Sequence, residues 1–138
     1  MSEETLKKGP PLIHCKVEVT KVTNPSTGAE EYVAKYHPKV LRVIENDTIL
    51  SFKLSGKTPD DVRIASVTVI QEGNTQLSTP SISTNRKSVT LTDINTEKET
   101  LNLQFKFTNT KTNARMTFAP CEENGVYPEV DNDPPFPP

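Results

Sequence analysis

From Leu101 to Phe107 the chain alternates strictly, with Leu101, Leu103, Phe105 and Phe107 apolar and Asn102, Gln104 and Lys106 polar. Successive side chains on a strand point to opposite faces, so this pattern predicts a half-buried strand whose four apolar residues form one inward row. The row has no break, which places the strand centrally and requires a facing sheet to cover Phe105 and Phe107. A run of turn formers, Thr108 to Asn113, follows. Beyond it the mirrored row Ala114, Met116, Phe118 alternates with Arg115 and Thr117 and reads as a hairpin partner.

The same period of two recurs along the chain. Ile13, Cys15, Val17 and Val19 alternate with His14, Lys16, Glu18 and Thr20, predicting a first strand that buries Cys15 and exposes His14. The pattern slips before Val22, which calls for a bulge or a bend there. Asn24 to Gly28 is a turn, with Pro25 fixing one dihedral and Gly28 able to take a positive one. Glu31 to Tyr36 follows as a strand with Tyr32, Ala34 and Tyr36 on one face, ending at His37-Pro38, where Pro lacks the ladder amide.

Lys39 to Ile44 and Thr48 to Leu54, joined by Glu45-Asn46-Asp47, read as a second hairpin. Thr58-Pro59 resembles a helix start, but the β-branched run Val62 to Ile70 limits it to one turn and predicts another strand. Thr75 to Lys87 is polar, with Leu77 and Ile82 as its apolar anchors, and is expected as an edge strand or ordered loop. Ser88 to Thr92 makes a further short strand with Val89 and Leu91 inward.

Seven to nine short strands separated by turn signals, without a helix-length periodic segment, predict an all-β domain. The specific expectation is an immunoglobulin-like antiparallel β-sandwich with Greek-key connections, and a jelly roll or small barrel is the alternative. Residues 1–11 are expected as a flexible N-terminal segment, 12–120 as the sandwich and 121–138 as an acidic, proline-rich tail. That tail carries Glu122, Glu123, Glu129, Asp131 and Asp133 with no balancing cation and ends in Pro134-Pro135-Phe136-Pro137-Pro138, a composition that favours polyproline II.

Composition narrows the function classes. A length of 138 residues suits one domain with a real core, and a net charge of −2 provides no basic footprint for nucleic acid or anionic membrane surfaces. The apolar runs are too short to span a bilayer, and the charged amino terminus lacks the apolar core of a secretory signal, so the expected compartment is the cytoplasm. Cys15 and Cys121 are then free thiols, and the Asn46-Asp47-Thr48 sequon occurs by chance.

Candidate chemistry is sparse. His14, His37, Cys15 and Cys121 do not stand at metal-motif spacing, so neither a metal nor another cofactor is expected. The strands from His37 to Val43 and from Asn46 to Phe52 resemble the opening of cupredoxins in pattern alone: Cys121 is followed by Glu122-Glu123-Asn124-Gly125 and no later His, so no copper site is implied. There is no Gly-x-Ser-x-Gly elbow or glycine-rich phosphate loop. Asp60-Asp61 and Glu30-Glu31 read as solvated turn acids, since calcium needs many convergent oxygens. Tyr32, Tyr36, His37 and Tyr127 are candidates for an aromatic binding platform, set against the plainer reading that Tyr32 and Tyr36 cap the sandwich.

The segment Tyr127-Pro128-Glu129-Val130-Asp131-Asn132-Asp133-Pro134-Pro135, taken with the length and the all-β pattern, resembles the DP-EP family of small bacterial proteins. The resemblance implies a β-sandwich of unknown activity, with no catalytic residues to carry over. The expected function is a non-enzymatic binding or assembly module, and the alternative is a small carbohydrate- or ligand-binding domain. A protein partner or self-association would use exposed strand edges, above all in Thr75 to Lys87, and the tail, where Phe136 between prolines is an apolar anchor.

Overall fold

The computed structural model describes residues 11–111 and 127–135, together with the backbone at 114–115. Met116, Phe118, Cys121 and Phe136 lie outside the described residues. In chain order the strands are β1 (Leu12–Thr23), β2 (Glu30–His37), β3 (Val40–Val43), β4 (Thr48–Leu54), β5 (Val62–Val69), β6 (Ser81–Ile82), β7 (Ser88–Asp93), β8 (Glu99–Asn109), β9 (Ala114–Arg115) and β10 (Glu129–Asn132). Among the described residues there is no helix, so the domain is all-β as expected.

Two sheets face each other. The first has the order β2-β1-β4-β7-β6, and the second the order β3-β10-β8-β5, with β9 pairing β8. Strand β8 is central, with β10 on one side, β5 on the other and β9 closing its far end. Its alternation is realised residue by residue: Leu101, Leu103, Phe105 and Phe107 are buried, while Asn102, Gln104 and Lys106 face outward. Cys15 is buried and His14 exposed on β1, as the same parity argument requires.

Four expectations are corrected. The sandwich is not purely antiparallel, because β1 pairs β4 in parallel and β3 pairs β10 in parallel. The cause lies at His37-Pro38, where the chain changes sheets without reversing. Strand β3 continues the direction of β2 in the facing sheet, so the turn after Val43 returns β4 parallel to β1. For the same reason β3 and β4 are not a hairpin: they belong to different sheets, and a turn signal alone does not say which sheet each arm joins.

The slip before Val22 produces no bulge. Strand β1 stays in regular register with β2 through Thr23, and Val22 turns outward beyond the point where the facing sheet covers the strand. Finally, part of the expected tail belongs to the fold. Glu129–Asn132 is β10, bonded to β3 on one side and β8 on the other, with Val130 and Asn132 fully buried. Two flanking ladders satisfy its backbone, and that outweighs a polyproline II preference that rests on composition alone.

The core is centred on rings. Phe105 meets Tyr36 at 5.4 Å and Phe52 at 5.1 Å between centroids, both from the first sheet, and its own neighbour Phe107 at 6.1 Å. The first two contacts are tilted and the third is stacked, and such aromatic pairs add to the burial of large apolar surface. Truncating Phe105 to Ala should therefore cost about 3 to 5 kcal/mol. Chemical denaturation of wild type and variant checks this, and a loss below about 1 kcal/mol would be a surface value.

Candidate functional site

The aromatic residues singled out in the sequence are not brought onto one surface. Tyr36 is buried against Phe105, and Tyr32 is half-buried on the same face of β2. The Tyr32 hydroxyl accepts from Asn109 Nδ2 at 3.5 Å, and Lys21 Nζ stands 5.9 Å from its ring centroid. His37 points to the other face of β2, exposed, with Nε2 4.0 Å from Glu18 Oε1. Tyr127 precedes β10, and its hydroxyl accepts from Gln104 Nε2 at 3.2 Å on the outer face of the second sheet. Phe136 lies outside the described residues.

Strand edges place the more informative groups. The polar stretch from Thr75 to Lys87 contributes the two-residue edge strand β6, bonded to β7. After it, Ser83 Oγ accepts from the Lys87 and Ser88 amides and shapes a turn in which Arg86 has φ 58°. This turn crosses to the other sheet. The Arg86 carbonyl accepts from the Ile64 amide at 2.8 Å, and its guanidinium donates to the Ile64 and Ala65 carbonyls at 3.3 Å each. Lys87 Nζ adds a contact to Asp60 at 3.2 Å.

Arg86 thus clamps the edge of the second sheet beside the register shift between Ile64 and Ser66. Past that bulge the orientation of the backbone follows from one bond: the Ile70 amide donates to the Asn102 carbonyl at 2.9 Å. In an antiparallel pair the groups that face the partner alternate along the strand. Ile70, Thr68 and Ser66 therefore point their backbone groups to β8, and Val67 and Val69 point theirs outward. Among the described residues, nothing bonds to those outward groups. The strand is uncharged from Ile64 to Ile70 and β-branched from Val67 onward, and Ile70 is 44% exposed.

A second cluster lies buried where β7, β10 and the turn after β3 meet. Asp93, Asn95 and Asn132 are fully enclosed and Gln76 nearly so. Asp93 Oδ1 accepts from the Asn95 amide at 2.9 Å and from Asn132 Nδ2 at 3.0 Å, while Asn95 Nδ2 donates to the Val43 and Glu45 carbonyls. Gln76 Oε1 accepts from the Thr96 and Glu97 amides. Every amide donor of Asn95 and Asn132 is thereby aimed at an acceptor, and Asp93 Oδ2, Asn95 Oδ1 and Asn132 Oδ1 are left without a donor.

Sequence reasoning passed over these residues although a signal existed. Asp93 extends the inward row of Val89 and Leu91, and Asn132 shares the parity of Val130. Arg86 gave no comparable signal, because its contacts cross between sheets. Among the described residues, no three His, Cys, Asp or Glu side chains are grouped to hold a metal ion, and no helix is long and apolar enough to cross a membrane. An open groove lined by Lys53, Ser83, Asn85, Lys87 and Ser88 lies beside the Arg86 turn.

Burial pushes the Asp93 carboxyl above its ordinary value, the bonds from Asn132 and Asn95 partly offset this, and the charge of Glu99 adds to it. The folded state therefore holds this proton more tightly than the unfolded chain. The resulting stability is full at acid pH and is lost as pH rises above the unfolded carboxylate value near 4 and through the folded one. Replacing Asp93 by Asn removes the buried charge and supplies donors to an acceptor-rich cluster. The variant should gain about 1 to 3 kcal/mol at pH 7, with the gain shrinking toward pH 4. Urea melts of both proteins across that range test it, and a variant that is less stable at pH 7 would contradict it.

Burial likewise raises the Cys15 thiol to about 11, with a backbone hydrogen bond from the His37 region acting the other way. Its Sγ donates to the Pro38 carbonyl at 3.3 Å. Thiolate is the reactive form, so Cys15 should label slowly in the native protein and rapidly in denaturant. Mass spectrometry of peptides after timed alkylation reads this directly, and equal labelling in the two states would contradict it.

None of the curated proteins matches the chain. Among solved structures, it is similar to the inclusion body protein PixA from Burkholderia cenocepacia, at 10% identity and a TM-score of 0.42 over 93% of this chain and 99% of that one. The model of the DP-EP family matches residues 11–127, nearly the whole chain up to the first residue of the motif that suggested the resemblance, and the chain belongs to the DP-EP family.

Proposed function

We propose that this chain is a non-enzymatic binding and assembly module that accepts an extended strand along the open half of β5. The observation that carries this reading is the pair of outward-facing backbone groups at Val67 and Val69, beyond the point where Arg86 closes the same edge. An incoming strand would satisfy both residues with main-chain hydrogen bonds and needs no dedicated side-chain pocket. Arg86 sets a stop, which limits the accepted segment to a few residues.

The proline-rich end is a second handle in this reading. It begins only after Asp133, whose carboxylate is tied to Arg42 at 3.1 Å and Lys98 at 3.6 Å. The rival, a small carbohydrate- or ligand-binding domain, draws on the groove beside Lys53 and Lys87.

Titrating the full chain with short, uncharged β-branched peptides while following backbone amides by NMR separates the two. Strand acceptance should shift and protect the Val67 and Val69 amides. Deleting residues 134–138 should leave that response in place and reveal any contribution from the end. Silence at β5 together with glycan-induced shifts at Ser83, Asn85 and Ser88 would favour the rival.

A further inference from the structure

We propose that the strand accepted by β5 is β5 of a second copy of this chain, paired antiparallel across a two-fold axis at Thr68. This rests on the strand-accepting reading above and names its occupant. A two-fold axis perpendicular to the sheet keeps the inner face of one copy continuous with the inner face of the other. That condition admits only registers in which opposed residues share a face.

Three such registers are centred within the open stretch. One centred on Val67 would lay the second copy's Val69 over Ala65, whose carbonyl Arg86 already occupies. One centred on Val69 would oppose Val67 to Gln71, past the end of the strand. The register centred on Thr68 opposes Val67 of each copy to Val69 of the other. Those are the residues whose backbone groups face outward, so both pairs become hydrogen-bonded pairs. It also opposes Thr68 to Thr68 and Ser66 to Ile70, covering an exposed isoleucine with a second strand.

Charge supports the same arrangement. Arg86 closes one end of the open stretch, and the exposed Glu72 stands in the turn beyond the other end. The two-fold axis brings Arg86 of each copy toward Glu72 of the other. Lys and Pro, the usual guards of an exposed edge, are absent from Ile64 to Ile70.

Sedimentation of the full chain over a concentration series tests this, with thermal melts confirming that each variant is folded. The wild type should show a monomer–dimer equilibrium. Val69→Pro removes an outward amide without touching a bond to β8 and should weaken the dimer about tenfold or more. Glu72→Arg should weaken it about three- to tenfold, the scale of two exposed ion pairs, and raising the salt concentration should weaken the wild-type dimer in the same direction.

A chain that stays monomeric throughout overturns the inference. If peptides still protect Val67 and Val69 in that case, the strand-accepting function stands with a different occupant, and if they do not, both fall. A dimer that survives Val69→Pro with the fold intact also overturns it, as does one whose affinity Glu72→Arg leaves unchanged.

Discussion

The two sheets depend on one another through Phe105. Its ring is the place where β8 of the second sheet meets β2 and β4 of the first, through Tyr36 at 5.4 Å and Phe52 at 5.1 Å. Because side chains on a strand alternate, Phe105 reaches that position only if Leu101, Leu103 and Phe107 also face inward. A slip of one residue would expose the whole row. The register of β8 in turn dictates those of β5 and β10, which pair along its two sides.

With β8 enclosed, the outer strands decide what the surface offers. The edge of the second sheet is treated in two ways within one strand. At Ile64 and Ala65 the backbone is closed by Arg86, which reaches across from the hairpin turn of the other sheet. After the bulge the backbone alternation shifts by one, and Val67 and Val69 face outward. The bulge is what lets the two treatments coexist, since it separates a closed phase of the ladder from an open one.

Much of this was legible in the residues, and what was hidden shares a cause. The inward row of β8, the burial of Cys15 and the polar character of β6 follow from period-two alternation, which is a local signal. The sheet change at His37-Pro38 and the insertion of β10 between β3 and β8 are not local. Val130 is the single strongly apolar residue of a four-residue strand set among acids and prolines, and two neighbouring strands supply what its own sequence lacks. The aromatic candidates show the same division. Parity alone places Tyr32 and Tyr36 inward and His37 outward, but only the tertiary structure separates Tyr127 onto the other sheet.

The insertion of β10 also explains why a polar cluster is tolerated in the interior. Val130 holds the strand by apolar burial, but a four-residue strand with one such anchor can shift along its neighbours at little apolar cost. Asn132 adds a directional constraint. Its Nδ2 meets Asp93 Oδ1 only when β10 stands in the observed register against β3 and β8. Buried hydrogen bonds of this kind cost stability wherever an acceptor is left over, and three oxygens here are left over. They discriminate between registers more sharply than packing does, because a misplaced strand would strand donors as well as acceptors. The raised Asp93 carboxyl is the thermodynamic cost of that discrimination, located where the C-terminal strand is joined to the fold.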